Sequence, residues 1–383
     1  MANKKALIVT RVSGFVPQFE MNNLRILQEM GYEVHYAANF DVIVYGKDNK
    51  RLEGTGVHTH HIPFGRSPFS RNVIRRYKEL KQLMLQEQFD LIHCHMPMTG
   101  ILTRKAAEKV RKITGRHVPV IYTAHGFHFY SGAPLGNWIY YLAERYYARY
   151  TDTLVVINKE DDVRAKKFPV RGTVEYVPGI GIQKAPESMP GYDMRKEYNI
   201  PKENKVIVSV GELTERKNHE VMIRAMDRFR RSDVTYLICG MGPLEEKLHT
   251  MVKEMHIEEQ VIFAGYCNHV ADVLRQADLF AFPSKQEGLP AAVMEAMQEG
   301  LPVLACDIRG NHDLIVHGKG GFLVSENLAE EYARGIQYLL DHPEEAERMG
   351  KWNEKRVQKF SLPIVEQKMK LIYQAAEREG SQS

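Results

Sequence analysis

The chain has 383 residues, of which 44% are hydrophobic and 26% charged, a composition that describes a globular protein too long for one ordinary core. It contains no run of about 18 apolar residues, so the sequence predicts no membrane-spanning helix. The beginning, MANKKALIVT, enters a short β-type run without a small-residue cleavage site, so we expect no secretory signal. The four cysteines form no CxxC pair, which favours free thiols in a reducing cytoplasm.

The formal net charge of +4 is unevenly divided. Residues 1–180 hold 26 Lys and Arg against 16 Asp and Glu, whereas the remainder holds 26 against 32. The basic half suits an anionic membrane surface or a phosphate-bearing acceptor, although two solvated helix faces would have the same composition. No stacking aromatics interleave with these charges, so we expect no nucleic-acid partner. The residues concerned are Arg71, Arg75, Arg76, Lys78 and Lys81 in one predicted helix, and Arg104, Lys105, Lys109, Arg111, Lys112 and Arg116 in and just after the next.

The first half of the chain alternates short apolar or β-branched runs with helical patterns, a rhythm that predicts βαβ units and a parallel sheet. In the helix 71–88 the apolar positions, Ile74 among them, recur at helical spacing, so we expect them to face the core. The Pro- and Gly-rich segment 177–192 then predicts a domain linker. The predicted strands are 6–12, 33–39, 58–62, 90–95, 118–122 and 153–157, and the predicted helices are 19–30, 71–88, 99–113 and 135–149.

The same rhythm restarts after the linker, with strands at 205–210, 236–239, 261–264, 279–282 and 303–306 and helices at 217–231, 243–256, 269–276, 289–299 and 328–341. The tail 343–378 has the pattern of helices broken at Pro363. The sequence thus predicts an α/β protein of two Rossmann-like domains that face each other across a cleft, with boundaries at 1–178 and 179–360. We expect the last segment, 361–383, to pack back on the first domain. In open α/β sheets ligands bind beyond the carboxyl ends of strands, so the loops after strands are where a site is expected.

The most informative of these loops follows the predicted strand 279–282. Glu287 lies in the loop and Glu295 lies on the helix that follows, a little over two helical turns further on. A glycine at 288 lets a ligand approach the backbone, and a helix N-terminus offers free N–H groups to a diphosphate or to sugar hydroxyls. Carboxylates accept two hydroxyl hydrogen bonds at once, which suits a sugar. Taken alone, the pattern fits a helix-dipole partner and a solvated glutamate equally well.

This stretch resembles glycosyltransferase family four, whose members are retaining enzymes of the GT-B fold. The match extends, in order and at the expected spacing, over GLPVLA at 300–305, VG…KN at 210–218, GMGP at 240–243 and FAGY at 263–266. It covers essentially the whole chain, and each motif is weak alone but specific in combination. The segment YTAHGFHFY at 122–130 is most similar to a bacterial branch that builds exopolysaccharide, capsule or O-antigen repeats.

The resemblance implies a role for each matching residue. It implies that Glu287 contacts the donor sugar, Glu295 the nucleotide ribose and Lys217 the diphosphate, where a fixed cation stabilises the leaving group without a metal. It also places His125 facing the donor sugar. The implied catalytic residues are His125, Glu287 and Lys217, and the implied donor-binding residues are Gly14, Arg216, Lys217, Glu287, Gly288, Leu289, Pro290, Ala291 and Glu295.

Two features depart from the simplest expectation. Where the family has Arg after Gly211, this chain has Glu212, and Arg216 is the candidate to replace that phosphate contact. The triplet His93–Cys94–His95 invites a metal hypothesis, but on a strand the two histidines would point to one side and the cysteine to the other. We therefore expect no metal and no cofactor, and lining of the acceptor cleft is the alternative function of these histidines.

The function predicted from the sequence is retaining transfer of a sugar from a nucleotide-diphosphate donor, by expectation a UDP-sugar. The acceptor predicted by the same resemblance is a glycan, with a lipid diphosphate carrier at the inner face of the cell membrane as the typical case. Two alternatives stay open. One is a sugar-nucleotide epimerase of the same fold, and the other is a catalytically silent nucleotide-sugar-binding subunit, which the unusual Glu212 favours.

Overall fold

The computed structural model describes residues 4–45, 48, 50–65, 72–325 and 328–381. The chain divides into two compact units, Met1–Gly181 together with Leu362–Ser383, and Ile182–Ser361. Each unit is built on one parallel β-sheet, so the prediction of an α/β protein with two Rossmann-like domains is confirmed. Within the described residues, none of the helices has the length and apolar character needed to cross a membrane.

The first unit contains a seven-stranded sheet. Its strands are β1 (Lys4–Val12), β2 (Tyr32–Asn39), β3 (His58–His61), β4 (Leu91–His95), β5 (Val120–Ala124), β6 (Thr153–Val156) and β7 (Thr173–Tyr176). Its first helices are α1 (Met21–Glu29), α2 (Val73–Glu87), α3 (Pro97–Thr114), α4 (Trp138–Ala148) and α5 (Lys159–Ala165). The spatial order is β3-β2-β1-β4-β5-β6-β7. Successive strands are therefore added on one side of β1 up to β3, and on its other side from β4 onward.

The second unit contains a six-stranded sheet with the order β10-β9-β8-β11-β12-β13. These strands are β8 (Lys205–Val210), β9 (Val234–Cys239), β10 (Val261–Gly265), β11 (Leu279–Phe282), β12 (Val303–Cys306) and β13 (Gly321–Val324). The helices are α6 (Met194–Glu197), α7 (His219–Phe229), α8 (Glu245–Glu254), α9 (Val270–Arg275), α10 (Ala291–Gln298), α11 (Arg309–Leu314), α12 (Ala329–Asp341) and α13 (Pro343–Val357).

The last helix, α14 (Leu362–Ser381), belongs to the first unit. A 3-10 turn (Gln358–Phe360) follows α13, and Ser361 takes an extended conformation before α14 begins. Pro363 is therefore in the first turn of α14, where its missing N–H costs nothing. Val365, Met369 and Tyr373 of this helix are buried against the β1 side of the first sheet.

Both sheets are covered on two faces, which explains the continuous apolar character of their strands. Leu7 and Val9 of β1 enter one core cluster, while Ala6 and Ile8 enter the other. This alternation places Ile92 and Cys94 of β4 on one side. His93 and His95 are thereby left on the face that α14 covers, as the strand period predicts.

The helix 71–88 differs from its prediction. Ile74 is 68% exposed, so the expectation that it faces the core is wrong. Only Leu80 and Met84 of this helix are buried, so the stripe that faces the core is narrower than the apolar pattern of the sequence suggests. Arg71 lies outside the described residues.

The four cysteines are free thiols, but Cys267 is only half-buried.

Candidate functional site

Each parallel sheet has a position at which the strand order reverses. The loops that follow the two strands at this position diverge to opposite sides of the sheet and leave room for a ligand. In the second unit this position is the β8–β11 pair, and in the first unit it is the β1–β4 pair. The loop after β8 carries Lys217 and the loop after β11 carries Glu287. Two predicted site residues thus lie where the topology alone would place a ligand.

In the second unit the Glu287 carboxylate is held by two cations and a hydroxyl group. Its Oε1 atom lies 2.9 Å from Lys217 Nζ and 2.7 Å from Ser284 Oγ. The Arg216 guanidinium donates to the same oxygen, at 2.5 Å. Because two positive groups meet one carboxylate, the cluster has an excess positive charge of one and suits an anionic ligand such as a diphosphate.

Backbone contacts hold the two loops of this cluster together. Lys285 donates its N–H to the Arg216 carbonyl at 2.8 Å, and Arg216 Nη1 donates to the Gln286 carbonyl at 3.1 Å. The Lys217 stem passes over Gly211, where an added Cβ would lie 3.3 Å from it. Its ammonium group also lies 4.8 Å from the centre of the Phe282 ring. The position of Lys217 is therefore set by glycine and aromatic packing as well as by charge.

Asn218, directly after Lys217, has a left-handed backbone with φ 56° and ψ 38°. Such a conformation is uncommon for residues other than glycine, although asparagine tolerates it well. It makes the sharp turn by which the chain leaves Lys217 and enters α7. Glu212 is exposed in the same loop, whereas Arg216 touches Glu287. Arg216 therefore contributes its charge to the cluster around Glu287, whereas Glu212 does not contact that cluster.

The loop after β11 leads into the eight-residue helix α10. Pro290, in an extended conformation, precedes its first residue, Ala291, which is exposed and small. The free N–H groups of the first turn are thus not covered by a bulky side chain at Ala291. Gly310 is needed below this loop, since a Cβ there would lie 2.7 Å from the Gly288 carbonyl oxygen. The half-buried Leu289 packs against the core of the second unit.

Glu295 is half-buried on α10, and burial raises the pKa of its carboxyl group. Among the described residues its side chain has no hydrogen-bond or ion-pair partner, in contrast to Glu287. A carboxyl group that is partly desolvated and unpaired in this way has its full capacity to accept hydrogen bonds from a ligand's hydroxyl groups.

In the first unit, the half-buried His125 belongs to a cluster of three titratable groups, of which the other two, Glu20 and His95, are buried. Its Nε2 atom lies 3.0 Å from His95 Nδ1 and 3.6 Å from an oxygen of Glu20, which is itself 3.7 Å from His95 Nδ1. Phe15 packs on both histidine rings, with centroid distances of 5.1 and 5.5 Å. Asn23 donates a hydrogen bond to the other Glu20 oxygen.

Burial sets the protonation of this cluster. It raises the pKa of Glu20 to about 8 and lowers that of His125 to about 4, while the pKa of His95 also falls well below its usual value. At neutral pH the carboxyl group therefore holds the proton and both imidazoles are neutral. A neutral imidazole with one hydrogen-bonded nitrogen has a fixed tautomer, which allows it to act as a defined donor or acceptor.

The strand residue His93 has a structural role. Its Nδ1 atom lies 2.8 Å from the Tyr373 hydroxyl and its Nε2 atom 2.8 Å from Thr123 Oγ1, so both ring nitrogens are satisfied. Cys94 is in the opposite core cluster, as predicted.

Gly14 also has a packing role, because a Cβ there would lie 1.7 Å from the Val44 carbonyl oxygen.

Sequence reasoning missed Glu20 and His95 as partners of His125. Glu20 ends a π-helical turn (Val16–Glu20) and has no motif around it, so no local signal marked it. The sequence suggests His95 as a metal ligand or as a lining residue of the acceptor cleft, and neither hypothesis predicts a contact with Glu20 or His125. The next residue, Met96, has φ 66° and ψ 146°, a strained conformation for any residue other than glycine that costs about 1–3 kcal/mol. Strain of this kind often accompanies functional sites, and here it directs the chain from His95 into α3.

The same three groups are the one set of His, Cys, Asp and Glu in the described part of the chain with the spacing of a metal site. Tetrahedral zinc with bonds of about 2.0–2.1 Å separates its ligand atoms by roughly 3.3 Å. The observed separations of 3.0, 3.6 and 3.7 Å fit that geometry, but the shortest of them is also an ordinary hydrogen bond. The cluster is therefore able to hold either a shared proton or a metal ion.

Two Rossmann-like sheets, each with a polar cluster at the point where its strand order reverses, are the architecture expected of a GT-B protein. Family models match both halves of the chain, "Glycosyl transferase 4-like domain" at residues 21–178 and "Glycosyl transferases group 1" at residues 192–356. The putative glycosyltransferase EpsD of Bacillus subtilis is 31% identical over 381 residues, covering 97% of each chain. The chain therefore belongs to the family of GT-B glycosyltransferases that combines these two domains.

Two further relatives bear on function and fold. An Escherichia coli enzyme described as a UDP-Gal:alpha-D-GlcNAc-diphosphoundecaprenol alpha-1,3-galactosyltransferase is 29% identical over 282 residues, which is 71% of this chain and 70% of that enzyme. The crystal structure of HepE from Anabaena in complex with UDP superposes with a TM-score of 0.76 at 17% identity, covering 97% of this chain and all of that one. At that identity the superposition establishes the shared fold.

Proposed function

We propose that this glycosyltransferase moves a sugar from a UDP-sugar to a glycan acceptor carried on a lipid diphosphate, with retention of the anomeric configuration, in the synthesis of a surface polysaccharide. The observation that carries the proposal is the cluster of Lys217, Arg216 and Glu287 at the β8–β11 switch point. The relative that uses UDP-Gal and a diphosphoundecaprenol acceptor supports the choice of donor and acceptor.

In the proposed reaction the donor diphosphate lies against Lys217, Arg216 and the first turn of α10. Their positive charge stabilises the UDP that leaves, so no metal ion is required there. Glu287 positions the donor sugar and Glu295 binds the ribose. The bond from the anomeric carbon to the departing phosphate breaks as the acceptor oxygen approaches from the same face, and the departing phosphate takes the acceptor proton. His125, held by His95 and Glu20, supports the sugar.

Thermal stabilisation by nucleotide sugars tests the donor site. Ligand at 100 times its Kd stabilises the folded state by about 2.7 kcal/mol, which shifts the melting temperature by several degrees. We expect UDP and a UDP-sugar to produce this shift in the wild type, and Glu287→Gln to lose the part due to the sugar. Glu220→Gln is a matched control, because Glu220 also pairs with two cations, Lys247 and Arg224, on the surface of the same unit.

Failure of every nucleotide sugar to stabilise the chain, or an equal loss in the two variants, would contradict the proposed site. Release of UDP without an acceptor and without a glycosylated product would instead favour the epimerase alternative. Binding without turnover under any condition would favour the silent subunit.

Metal independence is tested by exhaustive treatment with EDTA and by elemental analysis of the purified protein. We expect transfer to survive chelation and the protein to contain far less than one metal ion per chain. One zinc per chain that disappears in His125→Ala would assign the Glu20–His95–His125 cluster to a metal, and strict dependence on added Mg²⁺ would contradict the proposed diphosphate site.

A further inference from the structure

The helix α4 buries its one acidic residue and exposes an apolar face, whereas an ordinary surface helix buries apolar residues and exposes charged ones. Its one acidic residue, Glu144, is buried and accepts hydrogen bonds from Arg104 Nη2 at 2.8 Å and from the Tyr122 hydroxyl at 3.0 Å. The Arg104 guanidinium lies 4.1 Å from the centre of the Tyr122 ring. This buried ion pair fixes the rotation of α4, because turning the helix would leave both charges unpaired.

The fixed rotation leaves a row of large apolar side chains outside, which we name the α4 stripe: Leu135, Ile139, Leu142 and Tyr146. Their exposed fractions are 89%, 67%, 64% and 48%. Leu135 belongs to the 3-10 turn that enters α4, and spacings of four, three and four residues place all of them on one side of the helix. An exposed apolar row of this kind marks an interaction surface.

Charge and aromatic content indicate what the α4 stripe meets. From residue 135 to residue 149 the exposed charges are Arg145 and Arg149, since the only acidic side chain is the buried Glu144. The Arg149 guanidinium lies 4.3 Å from the centre of the Tyr146 ring, and the exposed Trp138 and Tyr140 flank the stripe. Aliphatic side chains bordered by tyrosine, tryptophan and arginine, without acidic groups, are the composition of helices that lie in a bilayer interface.

We propose that the α4 stripe inserts into the interfacial region of an anionic lipid bilayer, with Arg145 and Arg149 at the headgroups. The proposal rests on the proposed function, since a lipid-linked acceptor requires the enzyme to work at a membrane. A second copy of the chain is a less favourable partner for the α4 stripe. A symmetric pair of α4 stripes would bring the arginines of the two copies together with no acidic partner between them.

The α4 stripe differs from the basic face of α2 that the sequence singles out. Arg75 and Arg76 both pair with Glu79, at 3.0 and 2.9 Å, and only 14% of the Arg76 side chain is exposed. Lys78 and Lys81 are the other described cations of that face. Glu79 thus compensates one of the two arginine charges within α2, and the face provides a smaller net attraction to lipid than its sequence suggests.

Co-sedimentation with vesicles of phosphatidylglycerol and phosphatidylethanolamine, free of any acceptor, tests the proposal. We expect the wild type to bind these vesicles and to retain part of that binding at 0.5 M salt (about 4 Å of Debye length), because apolar insertion is not screened. The double variant Ile139→Gln/Leu142→Gln should lower the partition coefficient about tenfold or more. Leu371→Gln, which changes an exposed leucine of α14 in the same unit, is the matched control and should bind like the wild type.

Three results would overturn the proposal: no binding by the wild type, unchanged binding by the double variant, or loss of binding only on replacing Lys78 and Lys81 by alanine. A dimer in light scattering that the double variant abolishes would assign the stripe to a second copy. The melting temperature of the double variant reports on folding, and substitution of the exposed Leu135→Gln alone provides an independent test. Normal vesicle binding together with no transfer to any lipid diphosphate acceptor would sink the proposed function and leave the membrane surface standing.

Discussion

Replacing Lys217 by alanine removes the half-buried cation of the cluster that Lys217 forms with Arg216 and Glu287. Its ammonium group is 2.9 Å from Glu287 Oε1, and 15% of its side chain is exposed, so little water is available to replace the lost charge. If this ammonium stabilises the departing diphosphate, its loss raises the barrier by about 3 kcal/mol, which corresponds to about a hundredfold in kcat.

The same substitution should leave the fold nearly intact. Glu287 keeps the Arg216 guanidinium and the Ser284 hydroxyl as partners, so its carboxylate is not left without compensation. A partly exposed ion pair contributes about 1 kcal/mol or less, so we expect the melting temperature to fall by no more than about 4 °C. Arg216, with 46% of its side chain exposed, should have the smaller effect of the two cations when it is replaced by alanine.

The assay is the initial rate of UDP release in the presence of acceptor, with the donor varied to saturation so that kcat and KM are separated. Lys247→Ala is the control, since Lys247 forms a comparable ion pair with Glu220 at 2.8 Å on the surface of the same unit. A kcat for Lys217→Ala within about threefold of the control would refute the assignment of Lys217 to the leaving group.

Three further substitutions have defined outcomes. Burial raises the pKa of Glu20 from 4.5 to about 8, so between these two pH values the folded chain holds a proton that the unfolded chain releases. The free energy of unfolding therefore falls as the pH rises from 4.5 to about 8. Glu20→Gln should thus melt like the wild type at pH 5 but several degrees higher at pH 8, and parallel curves would contradict the buried neutral carboxyl group. Glu295→Gln should raise the donor KM about tenfold with kcat little changed, whereas an equal loss in kcat with normal KM would rule out a ground-state ribose contact. Gly14→Ala should lower the free energy of unfolding by about 1–3 kcal/mol in chemical denaturation, because its Cβ would overlap the Val44 carbonyl, and an unchanged value would show that the loop moves freely.

The parallel sheets were predictable because their strands are buried on both faces. The run 279–282 is apolar throughout, and 205–210 is apolar or β-branched apart from Lys205 and Ser209, and both strands begin and end as predicted. β7 was missed because TVEY is only four residues long and its one aliphatic residue, Val174, is partly exposed, so its apolar signal is weak. The strand β13, GFLV, is short and begins with a glycine, which turn statistics assign to a loop.

The second-unit cluster follows from sequence through topology. Lys217 and Glu287 are 70 positions apart, but they follow adjacent parallel strands, whose carboxyl ends meet at one edge of the sheet. The contact of Arg216 with the Glu287 carboxylate depends on side-chain direction in an irregular loop, which no periodicity encodes.

The first-unit cluster and the α4 stripe needed coordinates for a different reason. Glu20 reaches His125 only because a π-helical turn ends at that position, and its environment is buried although its sequence context is ordinary. For α4 the sequence predicts a helix at 135–149 but does not show which face is buried, because the rotation of the helix depends on the long-range ion pair between Glu144 and Arg104.

The stereochemistry of transfer decides whether this enzyme retains the anomeric configuration of its donor. The chain would be incubated with a UDP-sugar of known α configuration and a lipid diphosphate-linked glycan, and the anomeric coupling of the new linkage would be read by NMR. We expect the wild type and Glu220→Gln to release one UDP for each α-linked product. Lys217→Ala should form both UDP and product at a much lower rate. A β-linked product, or UDP released without any new glycosidic bond, would contradict this expectation.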